Sequence, residues 1–176
     1  MRDERTLKWD ERYLKLAKLF STWSKDPSTQ VGAVAIGDHG QVLAQGYNGF
    51  PRGIDDSLDR LSVRPVKLTF MIHAEMNVIF NASFNGVSLD GSTLYVYGLP
   101  VCSECCKGMI QAGFKRIVTL CLDEKVQIGT HWYDSALVSS AMLTEAEVEH
   151  VFYTISNEND DIRNFQKKVE WSSLSE

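Results

Sequence analysis

Residues 93–122 read TLYVYGLPVCSECCKGMIQAGFKRIVTLCL, and the fold follows from them. Thr93–Tyr97 is apolar, β-branched and aromatic, the composition of a strand. Pro100 interrupts it. Cys102–Ala112 has the apolar spacing and length of a helix, and Gly113 supplies the residue that ends it. Ile117–Leu122 is a second short apolar run, again a strand. A strand, a helix and a strand in so short a span make one crossover unit. Such units join parallel neighbours in a right-handed sense.

The pattern continues outward on both sides. Downstream, Ser135–Glu145 reads as a helix, Val148–Tyr153 as a strand and Ile162–Trp171 as a terminal helix, before a polar, disorder-prone end at Ser172–Glu176. Upstream, His73–Phe84 has helical spacing through Met76, Ile79 and Phe80. The first helix, Leu7 to Trp23, presents Tyr13, Leu16, Ala17, Phe20 and Trp23 at the same period. It is stopped by Ser24-Lys25-Asp26-Pro27. Val31–Ile36 and Val42–Tyr47 flank the turn Gly37-Asp38-His39-Gly40 and predict a hairpin. Alternating helices and strands imply a parallel sheet, and the hairpin makes it mixed. The expectation is an α/β fold: a three-layer α/β/α sandwich around a mixed five-stranded sheet, in a single domain over 1–176. Asn48-Gly49-Phe50-Pro51-Arg52-Gly53 opens a loop reaching about Thr69. A loop of that length is functional or contains a short helix.

Composition narrows the class. The chain has 176 residues, 44% hydrophobic and 23% charged, an ordinary globular balance. Its N-terminus lacks the apolar core of a signal peptide, and no apolar run approaches the roughly 20 residues a bilayer requires. The expectation is a cytoplasmic protein without a membrane partner, where thiols stay reduced. The net charge of −5 counts against a polynucleotide partner. Of the four cysteines, Cys102, Cys105 and Cys106 fall within five positions, which favours a metal over a disulfide framework.

The chemistry lies in His73-Ala74-Glu75 and Cys102-Ser103-Glu104-Cys105. Imidazole nitrogen and two thiolates make three ligands for zinc, and a catalytic zinc keeps its fourth tetrahedral position open. All three ligands belong near helix starts, where the helix dipole favours thiolate. Two residues between the cysteines let both sulfurs approach one ion. Two thiolates and a neutral imidazole leave the zinc formally uncharged overall, and its water ionises near neutral pH. Glu75 is then a proton carrier rather than a ligand. Structural zinc would need a fourth protein ligand, and His39, His131 and His150 have no paired spacing. A redox pair would need a thioredoxin-like setting, which the hairpin does not provide. Cys106 and Cys121 read as packing thiols.

This arrangement, H-x-E followed by C-x-x-C, is the pattern of zinc-dependent nucleobase deaminases. The chain resembles the deoxycytidylate deaminases of the cytidine deaminase-like superfamily from about Trp9 to about Tyr153. The residues that carry the resemblance are Ser24-Lys25-Asp26-Pro27-Ser28-Thr29-Gln30-Val31-Gly32-Ala33, Gly46-Tyr47-Asn48-Gly49-Phe50-Pro51-Arg52-Gly53, His73-Ala74-Glu75-Met76-Asn77 and Gln111-Ala112-Gly113-Phe114-Lys115. The resemblance implies hydrolysis of dCMP to dUMP and ammonia. His73, Cys102 and Cys105 would hold one zinc per chain, with Glu75 moving protons between water, ring N3 and the departing amino group. It also implies a homo-oligomer, commonly a hexamer, activated by dCTP and inhibited by dTTP with Mg2+ on the triphosphate. Gly46, Tyr47, Asn48, Gly49 and Arg52 are the effector candidates. Glycines let backbone N–H groups approach phosphate, and Arg52 adds a planar charged fork; the plainer reading is a turn after a strand. Ser24, Lys25, Asn48 and Ala74 are the substrate candidates. Ser24 and Lys25 are placed on the phosphate side, and Lys25 reads equally as a solvated charge beside a turn.

Three departures stand out. Val101 separates Pro100 from Cys102, where the family has proline directly before the cysteine. Glu147 stands where the family has glycine, at a helix end that suits positive φ. Arg52–Phe70 holds no histidine or cysteine for a second, structural zinc. The remaining alternatives are a dCTP or dual dCMP/dCTP deaminase, a nucleoside or tRNA-base deaminase, and a non-catalytic nucleotide-sensing module. A tRNA enzyme should show a basic face, and a module without turnover has no chemical need for Glu75.

Overall fold

The computed structural model of the chain describes residues 4–126, 131–156 and 167–168. Helix α1, Glu4–Ser21, precedes the hairpin of β1, Gly32–Ile36, and β2, Val42–Tyr47. Two short helices follow, α2 at Leu58–Ser62 and α3 at Arg64–Phe70. Then come α4, Ala74–Phe84; β3, Thr93–Gly98; α5, Ser103–Gln111; β4, Arg116–Leu122; α6, His131–Glu145; and β5, Glu149–Ile155. A two-residue strand β6, Lys167–Lys168, closes the series.

The sheet order is β2-β1-β3-β4-β5-β6. The β3–β4 and β4–β5 pairs are parallel, and the β1–β2 and β1–β3 pairs are antiparallel. The expected mixed five-stranded sheet is therefore present, with β6 added antiparallel to Tyr153 and Thr154. That addition corrects the expected terminal helix at Ile162–Trp171. Lys167 and Lys168 are extended, and the rest of that stretch, with Ser172–Glu176, lies outside the described residues.

Strand alternation sorts the side chains into two cores. Val34, Ile36, Tyr95, Tyr97, Val118, Leu120, Val151 and Tyr153 face Leu14 and Ala17 of α1. Ala33, Ala35, Leu94, Val96 and Ile117 face the opposite layer, with Val78 of α4, Cys106 and Met109 of α5 and Leu143 of α6. Both crossover helices lie on this side, as right-handed β-α-β connections require. At the far end of the strands from the cysteines, Arg116 makes a two-pronged ion pair with buried Asp10, at 2.6 and 2.7 Å, and Tyr95 Oη donates to the same carboxylate at 2.9 Å. This ties α1 to β3 and β4.

The small residues of β2 set the position of α4. A Cβ on Gly46 would sit 2.5 Å from the Ala74 carbonyl oxygen and 2.6 Å from the Val78 nitrogen, so the first turn of α4 rests directly on the strand. Asn77 Nδ2 donates to the Tyr47 carbonyl at 2.7 Å and Asn81 Nδ2 to the Gln45 carbonyl at 2.6 Å, which fixes the helix along that edge.

Candidate active site

The candidate zinc ligands come from two helix starts. His73 is the N-cap of α4 and Cys102 the N-cap of α5, both with extended backbone, and Cys102 Sγ accepts from the Cys105 N–H at 3.4 Å. Val101, the residue extra to the family pattern, is buried in the core, and its carbonyl accepts from Ser139 Oγ at 2.9 Å. Ser139 of α6 thus holds the turn into α5, with Cys102 as the helix cap and Cys105 in its first turn.

One donor atom from each of His73, Cys102 and Cys105 lies within 4.8 Å of the other two. His73 Nδ1 is 3.3 Å from Cys102 Sγ and 3.4 Å from Cys105 Sγ. Tetrahedral zinc, with bonds of about 2.3 Å to sulfur and about 2.0 Å to nitrogen, sets an S···N edge of about 3.5 Å. The donor set fits that ion, and among the described residues no fourth histidine, cysteine or carboxylate joins the group. The hydrogen bond from Cys105 and then the one with His73 draw the Cys102 thiol far down towards thiolate. Its hydrogen bond to Cys102 and burial hold the Cys105 thiol up.

Glu75 is buried in the first turn of α4. Burial raises its carboxyl to about 7, against the pull of His73. A carboxyl poised there both takes and gives a proton at neutral pH.

A cleft opens from this point, about 640 Å³ including its mouth. His73, Ala74 and Glu75 line it with Val31, Asn48, Leu99, Pro100 and Trp132. The Trp132 ring lies 6.0 Å from the His73 ring. Asp26, Ser28, Thr29, Arg64, Lys67, Leu68 and Met71 complete the lining.

The candidate substrate residues separate in the structure. Ala74 and Asn48 line the cleft. The Asn48 side chain is spent on the backbone: Oδ1 accepts from the Val31 N–H at 2.8 Å, and Nδ2 donates to the Thr29 carbonyl at 2.9 Å. Ser24 lies behind it, its Oγ donating to the Asn48 carbonyl at 2.8 Å. Lys25 is exposed, paired with Asp56, and is not among the cleft-lining residues. The effector candidates separate too. Tyr47, Gly49 and Arg52 line a second cleft with Asn77, Phe80 and Asn81, whereas Gly46 is covered by α4.

Sequence reasoning misses Asp26, Arg64, Lys67 and Trp132 as cleft residues. The signal for Arg64 and Lys67 was Pro65, which sits where proline starts a helix.

A family model for the cytidine and deoxycytidylate deaminase zinc-binding region matches residues 7–121. An uncharacterized deaminase in the luxG 3' region of Aliivibrio fischeri is 37% identical over 142 residues, 81% of this chain and 91% of that protein. Mouse deoxycytidylate deaminase is 37% identical over 117 residues, and the aligned part is 64% of each protein. Against the fly and nematode probable deoxycytidylate deaminases the chain spans only 60% and 58% of their length. Among solved structures, the dCMP deaminase of cyanophage S-TIM5 in complex with dCMP and dUMP superposes with a TM-score of 0.65 at 29% identity, covering 86% of this chain and 98% of that one.

Proposed function

The chain belongs to the cytidine and deoxycytidylate deaminase zinc-binding family, and from that premise we propose that it hydrolyses dCMP to dUMP and ammonia. The observation that carries the reading is the meeting of the His73, Cys102 and Cys105 donor atoms beside a buried glutamate that lines an open cleft. Named relatives and the phage enzyme's complex with dCMP and dUMP support the choice of substrate.

His73, Cys102 and Cys105 would hold zinc, which supplies hydroxide from a bound water at neutral pH. Glu75 accepts a proton at its carboxylate and delivers it to ring N3, which makes C4 electrophilic. The water oxygen adds to C4, and Glu75 takes the remaining proton from the new C4 hydroxyl and passes it to the exocyclic amino group, which leaves as ammonia. Water enters, the C4–N bond breaks and a carbonyl remains, so dCMP and water balance dUMP and ammonia. Trp132, Leu99 and Pro100 give the base an apolar wall and exclude bulk water.

The reading extends to control by Mg2+-dCTP as activator and Mg2+-dTTP as inhibitor, in a homohexamer. Its support is the second cleft, where Tyr47, Gly49 and Arg52 stand on the strip that reaches the catalytic one. Gly49 and Ile72 exchange backbone hydrogen bonds at 3.0 and 2.9 Å, and Ile72 precedes His73. An effector that moved Gly49 would therefore pull on a presumptive zinc ligand, provided it binds the two arrangements with different affinity. Initial rates against dCMP with and without each triphosphate test this control. Ammonia release from dCMP, CMP, dCTP and deoxycytidine tests the activity. Turnover of dCMP above the other three supports the reading, and preference for any other of the four overturns it.

A further inference from the structure

The lining of the catalytic cleft carries two cations that the zinc chemistry does not use. Arg64 and Lys67 sit one turn apart on α3, and both line the cleft. Lys67 is held in place. Its side chain is 9% exposed and Nζ donates to Asp26 Oδ1 at 2.9 Å and to Ser28 Oγ at 2.5 Å. Asp26 is 4% exposed at the side chain, and the same Oδ1 also accepts from the Ser28 and Thr29 N–H groups at 2.8 and 3.1 Å. Burial alone would push the Asp26 carboxyl up, but Lys67, Ser28 and Thr29 outweigh it and keep the carboxylate ionised. An ammonium has three protons, and two of Lys67's are placed by this cluster. Arg64 is exposed, and among the described residues no ion pair or hydrogen bond engages its guanidinium.

Placing a pyrimidine C4 beside His73 and Glu75 sends the 5' end of its nucleotide away from His73, Cys102 and Cys105, along the remaining lining of the cleft. Apart from His73 and Glu75, the titratable groups of that lining are Arg64, Lys67 and Asp26. Their charges sum to plus one. A phosphate monoester, with charge between −1.5 and −2, takes the Arg64 fork and the third Lys67 proton. A triphosphate would bring more negative charge against the same single net cation and the fixed Asp26 carboxylate. A nucleoside would forgo the charge-assisted hydrogen bonds that Arg64 and Lys67 offer.

We propose that Arg64 and Lys67, the latter positioned by Asp26 and Ser28, form the phosphate-reading end of the substrate cleft and select a nucleoside 5'-monophosphate. This assigns to α3 the role that Ser24 and Lys25 hold in the sequence reading, and it rests on the proposed deamination.

The test compares wild type with Arg64→Ala and Arg64→Lys, both at an exposed position that folding does not depend on. For Arg64→Ala, the ratio of kcat/KM for dCMP over deoxycytidine should fall about 10- to 100-fold, the worth of one or two charge-assisted hydrogen bonds. The loss should appear mainly in KM, with zinc content unchanged, and Arg64→Lys should recover part of it. Calorimetry with the product gives a readout without turnover. Wild type should bind dUMP more tightly than deoxyuridine, and Arg64→Ala should lose most of that difference. An unchanged dCMP/deoxycytidine ratio, or equal affinity of wild type for dUMP and deoxyuridine, overturns the inference. Arg64-dependent dUMP binding in a protein that turns over no cytosine nucleotide would overturn the deaminase reading and leave this one standing.

Discussion

Replacing Gly46 by alanine adds one methyl group at the tightest contact between β2 and α4. The new Cβ would stand 2.5 Å from the Ala74 carbonyl oxygen and 2.6 Å from the Val78 nitrogen, where ordinary contact begins at 3.4 Å. Both atoms are backbone, so no side chain can swing aside. The strand and the helix must part by about 1 Å, the difference between those distances. That first turn carries Glu75, with His73 as its cap. Misplacement by about 1 Å costs on the order of 100-fold in turnover where geometry governs the chemistry. Overpacking of this kind destabilises by about 1–3 kcal/mol, and a chain of this size loses roughly 2–4 °C in Tm per kcal/mol. Gly46→Ala should therefore show a kcat for dCMP reduced about 100-fold with no effector present, and a Tm lower by roughly 2–12 °C. Stopped assays of dUMP formation and scanning calorimetry measure the two. A purely effector-binding Gly46 would leave basal turnover intact. Wild-type kcat and Tm in the variant would refute the packing argument.

Glu75→Gln should retain the fold and zinc while losing about 100- to 10,000-fold in kcat, because an amide carries no proton; metal analysis and single-turnover rates check both halves. His150 Nε2 is buried with no hydrogen-bond partner among the described residues, and burial lowers its pKa to about 4. The unfolded chain binds the proton first as pH falls, so this contribution to stability is complete above about 6.5 and is lost as pH drops to about 4, a change of about 3 kcal/mol. His150→Phe should remove that slope from urea-melt stabilities, and parallel curves for the two proteins would contradict the assignment. Glu147 has φ 56°, the only positive φ outside glycine among the described residues, and closes α6 where Val148 N–H reaches back to the Leu143 carbonyl at 2.9 Å. Glu147→Gly should raise stability by up to about 1 kcal/mol in the same melts, as relief of left-handed strain exceeds the added chain entropy.

The strands and principal helices are legible in the sequence because their periods are local properties. Leu94 and Val96 face one core and Tyr95 and Tyr97 the other, as alternation requires. The meeting of His73 with Cys102 and Cys105 is legible for a different reason: the paired H-x-E and C-x-x-C spacings are those of one zinc chemistry, although 29 and 32 positions separate the partners. The strain at Glu147 is readable through the family resemblance, which sets glycine at that helix end. Long-range partnership without such a motif is not. Asp26 and Lys67 lie 41 positions apart, and nothing near either announces the other. Lys25, adjacent to Asp26, takes Asp56 at the surface instead. Gly46 illustrates a different limit. A glycine beside a turn suggests a phosphate loop, yet its missing side chain makes room for a helix that arrives 28 residues later. The two short helices in the loop after Arg52 carry weak local signals, and α3 becomes informative only when Lys67 is seen packed on Asp26.

The most direct test is dUMP formation from dCMP by protein stripped of metal with a chelator and then titrated with zinc. The account predicts no turnover in the stripped protein. Activity should rise linearly to a plateau at one zinc per chain, with ammonia and dUMP appearing in equal amounts. Full turnover by zinc-free protein, or no dUMP from protein that holds one zinc on His73, Cys102 and Cys105, would contradict it.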